Sequence, residues 1–134
     1  MLYARQTVGT VETVVDRLRQ AAREHRFGVL GVIDLKAKMT EKGVPFEQEC
    51  VILEVCNPGQ AKKVLDENMA VSTSLPCRIS VYEEEGTVTV ATLRPTALLG
   101  MYKDTESLAD TAKEVEETVV AIIDEAASEE RKGP

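Results

Sequence analysis

Residues 49–56 read ECVILEVC and run directly into Asn57-Pro58. A short, mostly apolar run of this length predicts a β-strand. Asn is a favoured N-cap and Pro is favoured at the first helical position, so the strand should pass directly into a helix. The apolar side of this short helix would consist of Ala61, Val64, Leu65 and Met69.

Two further strands are predicted after the strand of residues 49–56, and two before it. Residues 77–83 and 87–93 are apolar runs that flank Glu84-Glu85-Gly86, which is a hairpin signal, and Pro95 should end the second of these strands. Upstream, residues 2–8 and 29–35 also have the composition of strands. Between the second of these and the central strand, residues 36–45 resemble a loop or hairpin tip, with Gly43 for the turn and Pro45 as a breaker.

Two long helices complete the pattern. The first begins after a Thr10 N-cap, has apolar residues at helical spacing, and should end near Arg26, with Gly28 as the stop. The second runs from about Thr105 to Ala127. Its apolar stripe suits a helix that lies on a sheet or one side of a helix pair. It consists of Leu108, Ala112, Val115, Val119, Ile122 and Ala126.

The order of elements predicts an α+β fold. The economical packing is a single antiparallel or mixed sheet of about five strands, with the two long helices on one face and one short helix besides. Neither a linker nor an internal repeat interrupts the chain, so residues 1–134 are interpreted as a single domain. Residues 128–134 should form a frayed tail.

Composition narrows the classes of function. Aromatic residues make up 4% of the chain and Trp is absent, which predicts an aliphatic core. The net charge of −7 is concentrated in residues 104–130, interpreted as the solvated face of the last helix, and the chain has no basic footprint for nucleic acid. No apolar run is long enough to span a membrane and no export signal is evident, so the expected location is the cytoplasm. Cys50, Cys56 and Cys77 should then be free thiols.

Two segments resemble a known family. Glu54-Val55-Cys56-Asn57-Pro58 precedes a helix, and Leu75-Pro76-Cys77-Arg78 follows about twenty residues later. This pairing, with Lys42-Gly43 upstream, is similar to the Domain of Unknown Function 302 family of bacteria and archaea. The resemblance implies a compact domain of β-α-β(4)-α type, similar in topology to TATA-binding-protein-like folds, and often a homodimer. It implies no established activity, so it supplies no catalytic residue.

The sequence contains few residues or motifs that indicate a catalytic site. The sequence contains neither a phosphate-binding glycine loop nor a G-x-S-x-G motif. His25, the only histidine, should cap the carbonyl groups at the end of the first helix, although a catalytic pair built on it is the alternative. The spacing of the three cysteines does not suit zinc. Cys77 should be a buried apolar filler, whereas Cys56 precedes a helix N-terminus that could lower its pKa. We expect no cofactor and no metal.

Side-chain alternation along strands locates a candidate site. In residues 50–56, Val51, Leu53 and Val55 should face the helices. The other parity, continued into residues 77–83, gives a polar set on the open face of the sheet. It consists of Glu54, Cys56, Arg78 and Tyr82. We predict that these four line a polar groove, that Arg78 neutralises Glu54, and that a dimer partner or the 36–45 loop closes it. The same parity predicts that Cys56 and Cys77 lie on opposite sides of the sheet.

Three function hypotheses remain open. The first is a non-catalytic homodimeric module that binds a small ligand or a protein, with the stripe of the last helix or the open sheet face as the dimer contact. The second is a thiol-based or metal-assisted enzyme centred on Cys56 and Glu54. The third is a purely structural subunit, whose partner the sequence does not name. For the four groove residues, the alternative to a ligand site is that they fill a dimer interface. Lys36, Lys38 and Lys42 could form an anion-binding lid, although a solvated loop is the simpler interpretation.

Overall fold

The computed structural model describes residues 1–103 and 105–128. Its centre is one five-stranded antiparallel sheet in the order β1-β5-β4-β3-β2, which confirms the predicted sheet. The strands are β1 (Leu2–Thr7), β2 (Gly28–Asp34), β3 (Cys50–Cys56), β4 (Cys77–Glu84) and β5 (Thr87–Leu93). Strands β4 and β5 form the predicted hairpin. Its turn residues, Glu85 and Gly86, have φ angles of 50° and 80°, as a two-residue turn between strands requires.

The long helices lie where the β-α-β(4)-α pattern places them, and short helices are added between β2 and β3, between β3 and β4, and after β5. The α-helices are α1 (Val11–Glu24), α2 (Leu35–Glu41), α3 (Pro58–Glu67), α4 (Pro95–Leu99) and α5 (Ala109–Ala127). Two 3-10 helices, Met69–Ser74 and Glu106–Leu108, precede β4 and α5. At the start of α1, Thr13 N–H donates to Thr10 Oγ1 and Thr10 N–H donates to Thr13 Oγ1, both at 3.1 Å, which closes a capping box.

Helices α1 and α5 pack on one face of the sheet, as predicted. Their buried side chains, such as Leu18 and Ile122, share one core with strand residues of a single parity. In β3 these strand residues are Val51, Leu53 and Val55, and all three are buried. Because burial alternates along the strand, the opposite parity lies on the open face, which α1 and α5 do not cover.

The prediction of a loop or hairpin tip over residues 36–45 is wrong for its first part. Asp34 Oδ1 accepts a hydrogen bond from Ala37 N–H at 2.9 Å and caps helix α2. The helix ends where Gly43 adopts a φ of 77°, the left-handed conformation expected just beyond a helix. Helix α2 buries none of its residues. Because it has no buried side, its sequence shows no apolar periodicity that would have indicated a helix.

Two other local predictions need correction. Met69 is not on the apolar side of α3, because α3 ends at Glu67 and Met69 is 68% exposed. Val71 of the following 3-10 helix is buried in its place, against Val64. Pro95 ends β5 as predicted, but it also begins helix α4, because proline suits the first position of a helix.

The C-terminal end of α5 is better anchored than the predicted frayed tail. Ser128 is buried, and its N–H donates to Asp124 O at 3.1 Å. The rest of the predicted tail, residues 129–134, lies outside the described residues. The acidic stretch is also not wholly a solvated face, because Asp124 and Glu125 of α5 pair with Arg5 and His25.

Candidate functional site

The open face carries most of the polar side chains predicted to form the groove. In the β3–β4 register, Glu54 is directly opposite Arg78, Ile52 is opposite Ser80, and Cys50 is opposite Tyr82. Residues directly opposite in an antiparallel pair point to the same side of the sheet. Glu54, Arg78 and Tyr82 therefore share the open face.

Glu54 and Arg78 form a loose ion pair. Arg78 Nε is 4.0 Å from Glu54 Oε2, which is longer than a hydrogen bond. The Arg78 side chain is 70% exposed, whereas that of Glu54 is 24% exposed. Glu54 lies over Gly31 of β2, where a Cβ atom would stand 2.7 Å from Glu54 Oε1. Because Gly31 has no side chain, the Glu54 carboxylate has room at this position. Because the ion pair is loose, the other N–H donors of the Arg78 guanidinium remain available.

A groove of about 390 Å³ lies on the open face, beside this pair. Arg78, Ser80 and Tyr82 line it from β4, and the remainder is lined by apolar residues such as Ile52 and Leu93 together with three hydroxyl side chains, those of Thr73, Ser74 and Thr92. Neither Glu54 nor Cys56 lines it, and neither does any residue of 36–45. The structure therefore brings together two of the four predicted groove residues, Arg78 and Tyr82, places Glu54 beside them, and gives the 36–45 segment no part in closing the groove.

Cys56 borders a different cavity, which it shares with Cys77. The β3–β4 register pairs Cys77 with buried Val55, so Cys77 has the parity of the covered face and Cys56 that of the open face, as predicted. The cavity lies at the end of the sheet, where the last residue of β3 and the first residue of β4 both border it despite their opposite parity. Cys77 also lines the open-face groove, together with Ser74, Leu75 and Leu98. These four residues form a wall common to the two cavities.

The thiols in the second cavity are not activated. Burial raises the pKa of Cys77 to about 11, and the proximity of Cys56 adds to that increase. Burial also raises the pKa of Cys56, the reverse of the shift expected from a helix N-terminus. All three cysteines are free. Within residues 1–103 and 105–128, no three His, Cys, Asp or Glu side chains converge as metal ligands would.

Short helices enclose the second cavity, which measures about 50 Å³ and is lined mostly by aliphatic side chains of α3, α4 and α5. Helix α4 is fastened to α5 by Glu116, which accepts hydrogen bonds from Thr96 N–H at 3.1 Å and from Thr96 Oγ1 at 2.6 Å. Burial alone would raise the pKa of Glu116, but these hydrogen bonds and Arg94 outweigh it and lower that pKa. The loop after α4 is fastened by Tyr102, whose hydroxyl bonds to those of Thr73 and Ser74.

One polar atom of this cavity lacks a partner, and the sequence did not point to it. Gln60 lines the cavity, and its Oε1 is buried without a hydrogen-bond partner among the described residues. Gln60 is the third residue of α3, from which a Gln side chain can accept a hydrogen bond from the N–H of the N-cap residue. Here the side chain does not make that bond, although Gln60 N–H is capped by Asn57 Oδ1 at 3.1 Å.

His25 has a structural partner. Its backbone N–H donates to the carbonyls of Ala21 and Ala22, but its Nε2 lies 2.5 Å from Glu125 Oε2 of α5. The predicted capping of carbonyls by the imidazole is therefore wrong, because a carboxylate is within reach and is the stronger partner. The histidine links α1 to α5 at a distance from both cavities.

An antiparallel sheet with helices on one face and a groove on the other defines an α+β domain. The chain belongs to the family described as Domain of unknown function DUF302, whose model matches residues 3–126. It is similar to a crystal structure of an uncharacterized conserved DUF302 protein from Bacillus stearothermophilus, with 36% sequence identity and a TM-score of 0.87. The match covers 93% of this chain and 97% of that one. A search of curated proteins found no match.

These findings identify a family of unknown function and show no catalytic activity. Among the helices of the described ranges, none has both the length and the apolar character required to cross a membrane.

Proposed function

We propose that the chain is a non-catalytic binding module that holds a small carboxylate with an apolar body in the open-face groove. The observation that carries this proposal is the exposed Arg78 guanidinium on the wall of a groove of about 390 Å³. Arginine offers several donors in a planar fork that matches a carboxylate. Glu54 engages it at only 4.0 Å, so an incoming carboxylate would meet available donors.

The rest of the groove suits the remainder of such a ligand. Ser80 and Tyr82 supply hydroxyl groups next to Arg78, and Ile52, Leu93 and other apolar side chains supply contact area. A concave, largely apolar site with a few convergent polar groups is the usual form of a small-molecule site. Arg78 would fix the orientation of the ligand and the apolar wall would supply most of the affinity.

Titration of the ¹⁵N-labelled protein with hexanoate, hexanol and hexylammonium tests this proposal, because all three are straight chains of six carbons that differ in the charge of the head group. We expect hexanoate to shift the amide signals of β4 around Arg78 and Tyr82 at lower concentration than hexanol. Hexylammonium should bind most weakly. Equal shifts from the three compounds would show that Arg78 does not select the ligand.

Arg78→Gln provides the matched variant, and Arg19→Gln the control, because Arg19 is exposed on α1. We expect Arg78→Gln to weaken hexanoate binding about tenfold, the typical effect of a lost charged hydrogen bond. Arg19→Gln removes the same charge and should leave it unchanged. Equal effects of the two variants would reduce the role of Arg78 to general electrostatics and contradict the proposed site.

The same module is proposed to be a homodimer whose two open faces meet and roof the groove. The apolar stripe of α5 is buried inside the fold, as Val119 and Ile122 illustrate, so the open face is the better supported of the two predicted contacts. That face also exposes two large apolar side chains, Leu2 by 59% and Leu93 by 45%. Closed two-fold dimers are the commonest oligomers.

Sedimentation velocity at micromolar concentration tests the dimer. Leu93→Lys places a charge on the open face, and Met69→Lys places the same charge on an exposed residue of the 3-10 helix. We expect the first variant to be a monomer and the second to keep the dimer mass. A monomer mass for the unmodified chain would contradict the homodimer.

The alternative enzyme centred on Cys56 and Glu54 has less support. Cys56 borders the second cavity, Glu54 lies on the open face, and burial raises the pKa of the Cys56 thiol. The net charge of −7 supports a module that does not bind nucleic acid. Three free cysteines support a reducing, cytoplasmic location.

A further inference from the structure

The exposed leucines of the open face and Arg78 lie close together at one end of the sheet. Leu2 of β1 is directly opposite Leu93 of β5, and Arg78 of β4 is directly opposite Glu54 of β3. Strands β5 and β4 are neighbours, and Leu2, Leu93 and Arg78 all line the groove. A second copy of the chain that covers the two leucines therefore also removes the Arg78 guanidinium from much of its contact with water.

Arg78 has no close counter-ion to compensate for that loss of water. It is the only cation among the paired strand residues that the structure describes on the open face. Its neighbour Glu54 is 4.0 Å away, which is longer than a hydrogen bond. Removing a charged group from water costs free energy unless hydrogen bonds and an opposite charge replace the water. Arg78 by itself therefore opposes a dimer that forms through this face.

We propose that the carboxylate ligand is a component of the dimer interface, where it pairs with Arg78 and so strengthens the association of two open faces. This inference rests on the proposed function, from which it takes both the carboxylate and the open-face contact. Two-fold symmetry places a groove from each copy at the interface, so one dimer holds two carboxylates. Because coupling between two binding events is reciprocal, the dimer also binds the carboxylate more tightly than the monomer does.

Fluorescence-detected sedimentation velocity over a dilution series measures the dissociation constant of the dimer. We compare sodium hexanoate, hexanol, and sodium chloride at the ionic strength of the hexanoate sample. Hexanoate should lower the dissociation constant about tenfold, the effect of one charged hydrogen bond. Hexanol reports the contribution of the alkyl chain and sodium chloride that of screening, so neither should lower the constant as far. Equal effects of hexanoate and hexanol would overturn the role given to the carboxylate.

Arg78→Gln removes the cation from the open face. Without ligand, this variant should dimerise more tightly than the unmodified chain, because no charge is removed from water, and hexanoate should no longer tighten its dimer. Arg19→Gln, on the exposed side of α1, is the matched control and should respond to hexanoate as the unmodified chain does. A dimer of Arg78→Gln that still tightens about tenfold with hexanoate would contradict the inference. The comparison of hexanoate with hexanol on the unmodified chain remains decisive if the variant does not fold.

The amide signals of β4, followed in the same hexanoate titration, distinguish failure of this inference from failure of the proposed function. Signals that shift while the dissociation constant of the dimer stays the same would overturn the inference and leave the groove site intact. A dissociation constant that rises with hexanoate would also overturn it, because the carboxylate and the second copy would then compete for one face. If the signals of β4 do not shift at all, the proposed carboxylate site fails, and this inference fails with it.

Discussion

The two faces of the sheet use the same strands for opposite purposes. On the covered face, Leu53 and Val81 are fully buried beneath α1 and α5. On the open face, their neighbours Ile52 and Tyr82 remain partly exposed. Neighbouring residues of one strand therefore serve stability on one side and the candidate groove on the other. Substitutions one position apart along a strand should therefore separate effects on stability from effects on ligand binding.

The largest expected difference is between Leu53→Ala and Ile52→Ala. Leu53 is completely buried, so its truncation leaves a cavity and should lower the free energy of unfolding by about 3 kcal/mol. Ile52 is half-buried at the groove, and its truncation should cost about 1 kcal/mol. Urea denaturation of both variants measures the difference. Equal losses would mean that the two faces are equally packed.

The next comparison is between two carboxylates. Glu116 holds α4 through Thr96 and Arg94, so Glu116→Gln should cost about 1–2 kcal/mol at pH 7. Glu54→Gln breaks only the loose pair with Arg78 and should cost about 0.5 kcal/mol or less. Urea denaturation measures both, with Glu54→Gln as the control. A larger loss of unfolding free energy for Glu54→Gln than for Glu116→Gln would show that Glu54, and not Glu116, is the stabilising carboxylate.

The contribution of Glu116 should also depend on pH. Its pKa in the folded protein is lowered from 4.5, so its stabilisation is present above that value. The stabilisation is lost as pH falls through the folded-state pKa. The difference in stability between the unmodified chain and Glu116→Gln should therefore shrink from pH 7 to pH 3. A difference that grows towards low pH would show that the pKa is raised instead.

A smaller effect is expected when the thiols are removed. Cys→Ala at Cys50, Cys56 and Cys77 should cost about 1 kcal/mol each, as small cavities, and the triple variant should still fold. In the unmodified protein at pH 7, a thiol reagent should modify Cys77 most slowly, since burial raises its pKa to about 11. Mass spectrometry after brief labelling gives the order in which the three thiols react. A hyper-reactive Cys56 would instead support the enzyme hypothesis.

The smallest effect on stability is expected at Gly31. An added Cβ would stand 2.7 Å from Glu54 Oε1, the far end of a flexible side chain that can move aside. Gly31→Ala should therefore change the free energy of unfolding by less than about 0.5 kcal/mol, and it should shift the NMR signals of Glu54 and Arg78. Unchanged signals at both residues would show that Gly31 does not position the carboxylate.

Sequence reasoning was sufficient for the strands and for the face that each residue takes. Alternation along β3 and β4 predicted that Glu54 and Arg78 share a face, because regular strands translate sequence parity directly into side. The same rule gave Cys56 and Cys77 opposite parity, which their register confirms, but it could not show that both border one cavity at the end of the sheet. The long helices were evident because each has a buried apolar stripe.

The short helices and the second cavity were not predictable in the same way. Helix α2 buries no residue, and α4 has only five residues, so neither carries a periodic pattern. The second cavity arises from the mutual packing of α3, α4 and α5, which no local sequence signal describes. No pattern in the sequence sets Gln60 apart, and only its buried Oε1, which has no hydrogen-bond partner among the described residues, distinguishes it.

A crystal structure of the protein soaked with hexanoate would show whether the open-face groove binds a small carboxylate through Arg78. We expect the carboxylate within about 3 Å of the Arg78 guanidinium, the alkyl tail along Ile52 and Leu93, and a second copy of the protein over the groove. Hexanoate bound elsewhere, or an empty groove with Arg78 held by another group of the protein, would contradict the proposed carboxylate site.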